Sequence, residues 1–443
     1  MKIDSISAWQ VFDSRGNPTI EAEVTLANGA RGRGMAPSGA STGQFEAVEL
    51  RDGDPKKFGG KSVFKAIANV QDTIGPALRG RDVLDQSGLD EAMIALDGTG
   101  NKSRLGANAI LSVSMAAANA GANARGEPLF AYLGGGQGNL LPLPEIQIIG
   151  GGAHANWRTD VQDFLLIAVG ARSYGEVMEM THDIYHAAGN ILRKRGKYFG
   201  VADEGGYWPE FKTNEEPLQL LVEAIQAAGY RPGQDAAISL DIAASDLFDE
   251  AAGEYSFALE QRKFSSTEFA ALLADWCARY PIISIEDPMA DTDWDGWKLI
   301  YKALGSWVQI IGDDLFTTNL RRIQAGIEKG VANAVLIKLN QIGTVTETIQ
   351  AIRLTQQAGW LPVVSARSGE TEDGFIAHLA VAMNAGQIKV GSFSRSERMA
   401  KWNEVLRIER MLSGRARFIG GKIYAQILDR ASNAQSELSP SSF

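Results

Sequence analysis

Five short apolar runs in the second half of the chain each carry, at or beside the end, a residue able to hold a cation, a proton or an anion. They are AAISLD (Asp241), IISIED (Glu286), VQIIGDD (Asp313), AVLIK (Lys338) and GQIK (Lys389), with LPVVSARS (Arg367, Ser368) between the last two. Unbroken apolar runs of this length suit strands buried on both faces of a parallel sheet. The intervals of 45, 27, 25 and 51 residues leave room for a helix after each. The pattern predicts a (β/α) barrel. Strands of such a barrel converge at their C-terminal ends on one mouth, so three carboxylates and two lysines should meet there.

The first 60 residues follow another rhythm. IDSISAWQVFDSRGNPTIEAEVTLANGARGRG alternates apolar and polar positions, with Asn17-Pro18 and Asn28-Gly29 as turn signals, and predicts strands. From Lys61 to Gly126 the period becomes helical, and GANAILSVSMAAANAGANA is made of residues small enough for close packing. Its apolar stretch, Ala107 to Ala120, is broken by Asn and Ser and is too short to span a bilayer. The glycine-rich, then proline-punctuated GGGQGNLLPLP at 134–144 predicts a boundary between an α+β domain over 1–135 and the barrel over 136–426. Residues 427–443, polar and serine-rich, read as a tail outside the folded core.

Composition narrows the partners. A chain of 443 residues with 45% hydrophobic content supports two domains with a substantial core. Its 43 Lys plus Arg against 53 Asp plus Glu, net −10 without a long run of one sign, argues against nucleic acid or an anionic membrane as partner. The single Cys277 excludes an intramolecular disulfide, and MKIDSISAWQVF lacks a secretory pattern, so the expected location is cytoplasmic.

Asp241, Glu286 and Asp313 form a hard oxygen set suited to Mg²⁺. One acid at a strand end is an ordinary helix N-cap; three at successive strand ends are better read as ligands, with Asp287 and Asp314 as capping or supporting groups. A lysine ending an apolar run either snorkels at the rim or serves a partner. Desolvation and a nearby cation would depress the pKa of Lys338 or Lys389 and make a general base of it. PSGASTG at 37–43, DEGG at 203–206 and His154 in GGGAHANW are loop features that carry little alone.

In order along the chain, DSRGNPT (13–19), APSGASTGQFEAVELRDGD (36–54), DEGG, SIEDP, GDDL, KLNQIGT (338–344), ARSGETED (366–373) and GQIK with the later RSER and LRIE resemble the enolase (phosphopyruvate hydratase) family up to about residue 425. The resemblance implies an α/β barrel of the enolase type, TIM-like, preceded by an N-terminal α+β domain, with the simple βα alternation broken within 141–235. It also implies a lyase acting on a small phosphorylated carboxylic acid, two Mg²⁺ sites of which substrate completes the second, and a homodimer or higher homo-oligomer. Asp241, Glu286 and Asp313 would bind the first Mg²⁺ and Ser41 would reach the second. Lys338 would take the C2 proton of 2-phosphoglycerate, Glu204 would protonate the departing C3 hydroxyl, and Lys389 would hold the carboxylate. Arg367 and Ser368 would bind phosphate, Gln162 would contact substrate, and His154 would close over it.

The chain also departs from that pattern. SARSGETED has Ala366 where the family has histidine, QDF has Asp163 for glutamate beside the leaving hydroxyl, GGGAHANW has Gly150 for asparagine and an added Trp157, DEGGYWP has Trp208, and GSF has Phe393. These changes should collect on the leaving-group side and add apolar bulk above it. Two enzymatic readings follow: dehydration of 2-phosphoglycerate, and an enolase-like synthase of phosphonate natural products (carboxyphosphonoenolpyruvate-type product) using the same enolate. A scaffold that merely keeps the fold has no physical reason to retain three carboxylates, two lysines, Arg367 and Glu204 together.

Overall fold

A computed structural model describes residues 1–39 and 43–425, so Ser41 and the 427–443 tail lie outside the described residues. The alternating N-terminal stretch forms an antiparallel sheet of β1 (Ile3–Phe12), β2 (Pro18–Leu26) and β3 (Arg31–Met35), in that order. Asp13 closes the first hairpin: its Oδ1 accepts from Arg15 N at 2.9 Å and Asn17 N at 2.8 Å, the local bond that makes Asp a turn residue. The helix Ala107–Arg125 lies across this sheet. A Cβ on Gly32 would sit 2.0 Å from Ala120 N, and one on Gly34 2.5 Å from Ser112 O. The small residues thus serve close packing, with a strand as the partner.

The second part supplies β4 (Leu143–Gly150), β5 (Asp163–Ile167) and β6 (Ala237–Asp241), a small antiparallel sheet of β7 (Phe248–Asp249), β8 (Glu254–Phe257) and β9 (Arg262–Ser265), and then β10 (Ile282–Glu286), β11 (Gln309–Gly312), β12 (Ala334–Ile337), β13 (Leu361–Ser365) and β14 (Gln387–Ser392). Eight of them close into a barrel in the order β10, β11, β12, β13, β14, β4, β5, β6. Their inward positions are buried, as unbroken apolar runs require. Helices follow most strands, but β5 pairs antiparallel with both β4 and β6, and two helices, Tyr174–Lys194 and Glu216–Ala227, intervene before β6. Plain (β/α) alternation is therefore wrong for this stretch. Because β5 runs backwards, its first residue faces the mouth, and Asp163 lies opposite Asp241 in register.

Lys389 also departs from the simple expectation. It is the third residue of β14, which runs on to Ser392, and a register shift follows it. It belongs to the barrel wall, so its side chain reaches across the interior. No described helix is long and apolar enough to cross a membrane.

Candidate active site

At the mouth lies a cleft of about 520 Å³, open to solvent. His154, Gln162, Asp163, Glu204, Asp241, Asp313, Lys338, Arg367, Ser368 and Lys389 all line it, though they come from loops and strands spread over more than 230 residues. Glu286 lies just behind, its Oε2 2.7 Å from Lys389 Nζ. Asp241, the last residue of β6, and Glu286, the last of β10, are presented by strand ends; Asp313 and Lys338 follow directly on β11 and β12.

Charge is unbalanced in this pocket. Asp241, Glu286, Asp287, Asp313 and Asp314 face two ammonium groups, Lys338 and Lys389. Lys389 Nζ lies 2.8 Å from Asp241 Oδ2 as well as 2.7 Å from Glu286, while Lys338 Nζ is bonded to Asp313. Burial would raise the Asp241 carboxyl, but Lys389 outweighs it and holds it down at about 2. The others lack that compensation. Burial and then the Asp241 charge push Glu286 well above the carboxylate range; burial and then Asp314 do the same to Asp287; burial and Asp313 push Asp314 up to about 8. Burial tends to lower both lysines, yet their carboxylate partners keep both above the usual lysine value. Lys338 is therefore held protonated by Asp313 in this state, contrary to the depressed pKa that its strand-end position suggests.

Excess buried carboxylate is the donor set a divalent cation requires, and Glu286 Oε1 is buried without a hydrogen-bond partner. The residues fit a metal, but the three predicted ligands do not converge by themselves: Lys389 holds two and Lys338 the third. Among the described residues, two groups have ligand atoms within 4.8 Å of one another: the carboxylates of Asp287, Asp313 and Asp314, and His154 with Asp163 and Glu204. Of these, Asp287 accepts from Asp313 N at 2.9 Å and Asp314 N at 2.8 Å, which suits the capping part expected of it.

A second cluster occupies the opposite side. His154 Nδ1 lies 3.7 Å from Asp163 Oδ1 and 4.0 Å from Glu204 Oε1, and Asp163 Oδ2 lies 3.7 Å from Lys389 Nζ. Burial lowers the His154 pKa and the Glu204 and Asp163 charges raise it, with a net rise. Gln147, which the sequence reading passed over, organises this side: Nε2 donates to Asp163 Oδ1 and Oε1 accepts from Gly206 N at 2.8 Å, in the turn that bears Glu204. Gly205 in that turn has φ +99°, and a Cβ there would meet Ser394 Oγ at 2.6 Å.

The anion side joins the two parts of the chain. Arg367 Nη1 donates to Glu46 Oε2 at 2.9 Å and to Asn340 Oδ1 at 3.0 Å. Ser38 and Gly369 exchange backbone bonds of 2.8 Å, Ser14 N donates to Glu370 O at 2.7 Å, and buried Arg398 Nη1 donates to Arg367 O at 2.6 Å. DSRGNPT and RSER thus hold the 366–373 loop from both sides. Glu46, Asn340 and Gln341, whose Nε2 donates to Asp313 Oδ1 at 2.8 Å, were also missed, although each sits inside a motif that was singled out.

Of the departures, Ala366 and Asp163 line the cleft. The aromatic ones are not among its lining residues: Trp157 is 49% exposed, and Trp208 Nε1 donates to Phe199 O at 3.2 Å. Gly150 has a steric reason, since a Cβ there would come within 2.7 Å of Ala202 Cβ.

A barrel whose mouth gathers paired lysines, an arginine and an excess of carboxylates is an enzyme scaffold for small anionic substrates. Residues 3–133 match the family model described as "Enolase, N-terminal domain", and residues 138–427 match "Enolase, C-terminal TIM barrel domain". The chain is 56% identical over 425 residues, 96% of its length and 97% of the relative's, to "Enolase 1" of Desulfitobacterium hafniense (strain Y51). The chain belongs to the enolase family and is a carbon–oxygen lyase of that superfamily.

Proposed function

We propose that the protein removes the C2 proton of 2-phosphoglycerate and expels the C3 hydroxyl as water, giving phosphoenolpyruvate, with Mg²⁺ as cofactor. The placement of base and acid carries this reading. Lys338 follows β12 and Asp163 opens β5, four strands apart in a ring of eight, and Glu204 and His154 cluster with Asp163. A substrate in the cleft is flanked by a base on one side and a proton donor on the other. Lys338 Nζ takes the C2 proton, its bonding electrons form the C2=C3 bond, and the C3–O bond breaks as Glu204 donates a proton to the leaving oxygen.

A proton α to a carboxylate is weakly acidic, and its removal doubles the negative charge on that carboxylate. Asp241, Glu286 and Asp313 would hold one Mg²⁺ and Ser41 would reach a second; such ions would offset that charge, lowering the barrier by roughly several kcal/mol. If Asp313 held a cation, Lys338 would lose the contact that now keeps its proton. Lys389 faces the substrate carboxylate, Arg367 and Ser368 the phosphate, and Gln162 and His154 complete the enclosure.

The test is direct. Protein, 2-phosphoglycerate and Mg²⁺ should produce the ultraviolet absorbance of an enol phosphate, and EDTA should abolish it; full turnover in EDTA, or none with metal, removes the reading. A second reading is supported by Ala366 and the shortened Asp163 in the lining. The same enolate would then serve a substrate with a larger C3 group, as in a carboxyphosphonoenolpyruvate-type synthase. C2 exchange without dehydration of 2-phosphoglycerate would favour it. Family membership supports a homodimer, which sedimentation at micromolar concentration checks.

A further inference from the structure

We infer that Arg158 is a positioning residue: its guanidinium, held between the rings of Trp208 and Phe199, ties the loop that carries His154 to the segment that carries Glu204. The loop runs from Gly151 to Gln162, between β4 and β5. After a short turn, Gly152–Ala155, two consecutive residues with side chains, Asn156 and Trp157, adopt left-handed backbone at φ +51° and +58°. Each such residue costs about 1 kcal/mol or more, so contacts must over-determine this shape. Within the loop, Gly152 N donates to Thr159 O at 2.9 Å and Trp157 N to Gly152 O at 2.8 Å. Its C-terminal end is anchored, Asp160 N donating to Asn214 Oδ1 at 2.7 Å. Among the described residues the tip meets the Glu204 segment through a long backbone bond, Asp203 N to His154 O at 3.3 Å, the 4.0 Å approach of His154 Nδ1 to Glu204 Oε1, and the Arg158 contact.

That contact is aromatic in character. Arg158 Cζ lies 4.9 Å from the Trp208 ring centre and 5.5 Å from that of Phe199. Trp208 is itself fixed by its bond to Phe199 O. Arg158 Nη1 is buried without a hydrogen bond, and Glu210, 3.5 Å away, has a side chain 74% exposed, so water screens that ion pair. The ring faces therefore hold the cation. This accounts for Trp208, which is not among the residues lining the cleft, and for Phe199, left 51% exposed. His154 is four residues before Arg158, and its distances to Asp163 and Glu204 depend on where the loop rests.

A cation–π pair between partly desolvated groups shifts an open–closed equilibrium by roughly 5- to 30-fold. If only the closed loop completes the site, populating the open form raises KM by at most that factor and leaves kcat at saturation within about 2-fold. The KM arm rests on the 2-phosphoglycerate reading; a second arm does not. Amide hydrogen exchange of Gly152 and Trp157 in the substrate-free protein should be faster in Arg158→Gln than in the wild type, the gain in exchange and the rise in KM multiplying to the roughly 5- to 30-fold shift. Arg158→Lys should restore most of the protection, Glu210→Gln should change neither readout, and Trp208→Leu should match Arg158→Gln, the double variant adding nothing further. Unchanged exchange in both Arg158→Gln and Trp208→Leu, fully additive effects, or a lowered melting temperature with unaltered loop exchange and KM would overturn the assignment. A wild type that leaves 2-phosphoglycerate untouched would refute the substrate reading, and the exchange arm would still decide the latch.

Discussion

Asp163 is one methylene shorter than the glutamate its family places beside the leaving hydroxyl, and Gln147 draws its Oδ1 into the barrel wall. Its other oxygen is buried without a hydrogen-bond partner. Ala366, nearby in the lining, offers no polar atom from its side chain. Expulsion of hydroxide depends on placed polar groups, and misplacement by 1 Å can cost about 10²-fold. Dehydration of 2-phosphoglycerate is therefore expected to be on the order of 10²-fold slower than in an ordinary enolase, with C2 proton exchange less impaired. Ala366→His combined with Asp163→Glu should raise kcat for dehydration; equality of the unaltered protein with an ordinary enolase would show these departures to be silent. The two halves of the reaction also separate by residue. Lys338→Ala should abolish deuterium exchange at C2, whereas Glu204→Gln should slow elimination and leave exchange measurable by NMR. Exchange at the wild-type rate in Lys338→Ala places the base elsewhere.

Between elements, fit is set by absent side chains. β3 and the helix Ala107–Arg125 approach so closely that one methyl group on Gly32 overlaps helix backbone, which cannot move aside as a flexible side chain can. Gly32→Ala should destabilise the protein by about 1–3 kcal/mol or more, visible as a fall in melting temperature, while a methyl on Gly100, with nothing within 4 Å, meets no such obstacle. An unchanged melting temperature in Gly32→Ala would mean the sheet and helix can slide apart. At the mouth, the reversal of β5 is the decisive element-scale event: it presents Asp163 and Gln162 from a strand start beside residues presented by strand ends.

Across the whole molecule, the site is assembled from both parts of the chain and carries more carboxylate than its lysines can neutralise. Asp314 at about 8, with Glu286 and Asp287 also raised, takes up a proton on folding between its unfolded pKa near 4 and its folded one. In that window the native state binds more protons than the unfolded chain, so the stability of the metal-free protein falls as pH rises from about 4 toward 8. His154 has the same sign: its raised pKa contributes stability that is lost as pH climbs through the folded value. In EDTA the melting temperature should thus be lower at pH 8 than at pH 6. Mg²⁺, binding ionised carboxylates and releasing their protons, should raise it more at pH 8. Equal Mg²⁺ effects at the two pH values would contradict this charge balance.

Much of this was legible in the linear chain. Buried parallel strands demand unbroken apolar runs, so AAISLD, IISIED and AVLIK announced their strands, and the polar residue that stops each run is the one left at the mouth. Motifs quoted from the chain led to the family that the comparisons bear out. Other features depend on what stands across the barrel, which spacing does not encode. Periodicity carries no strand direction, so the reversal of β5 was invisible as pattern. Lys389 ends an apolar run in print but sits mid-strand in space, and Trp157, Trp208 and Phe393 are not among the residues lining the cleft. Gln147 and Glu46 looked like ordinary polar positions until folding set them against Asp163 and Arg367. Protonation states followed the same rule: a buried group takes its pKa from neighbours distant in sequence, so Lys338 is governed by Asp313 only once the barrel has closed.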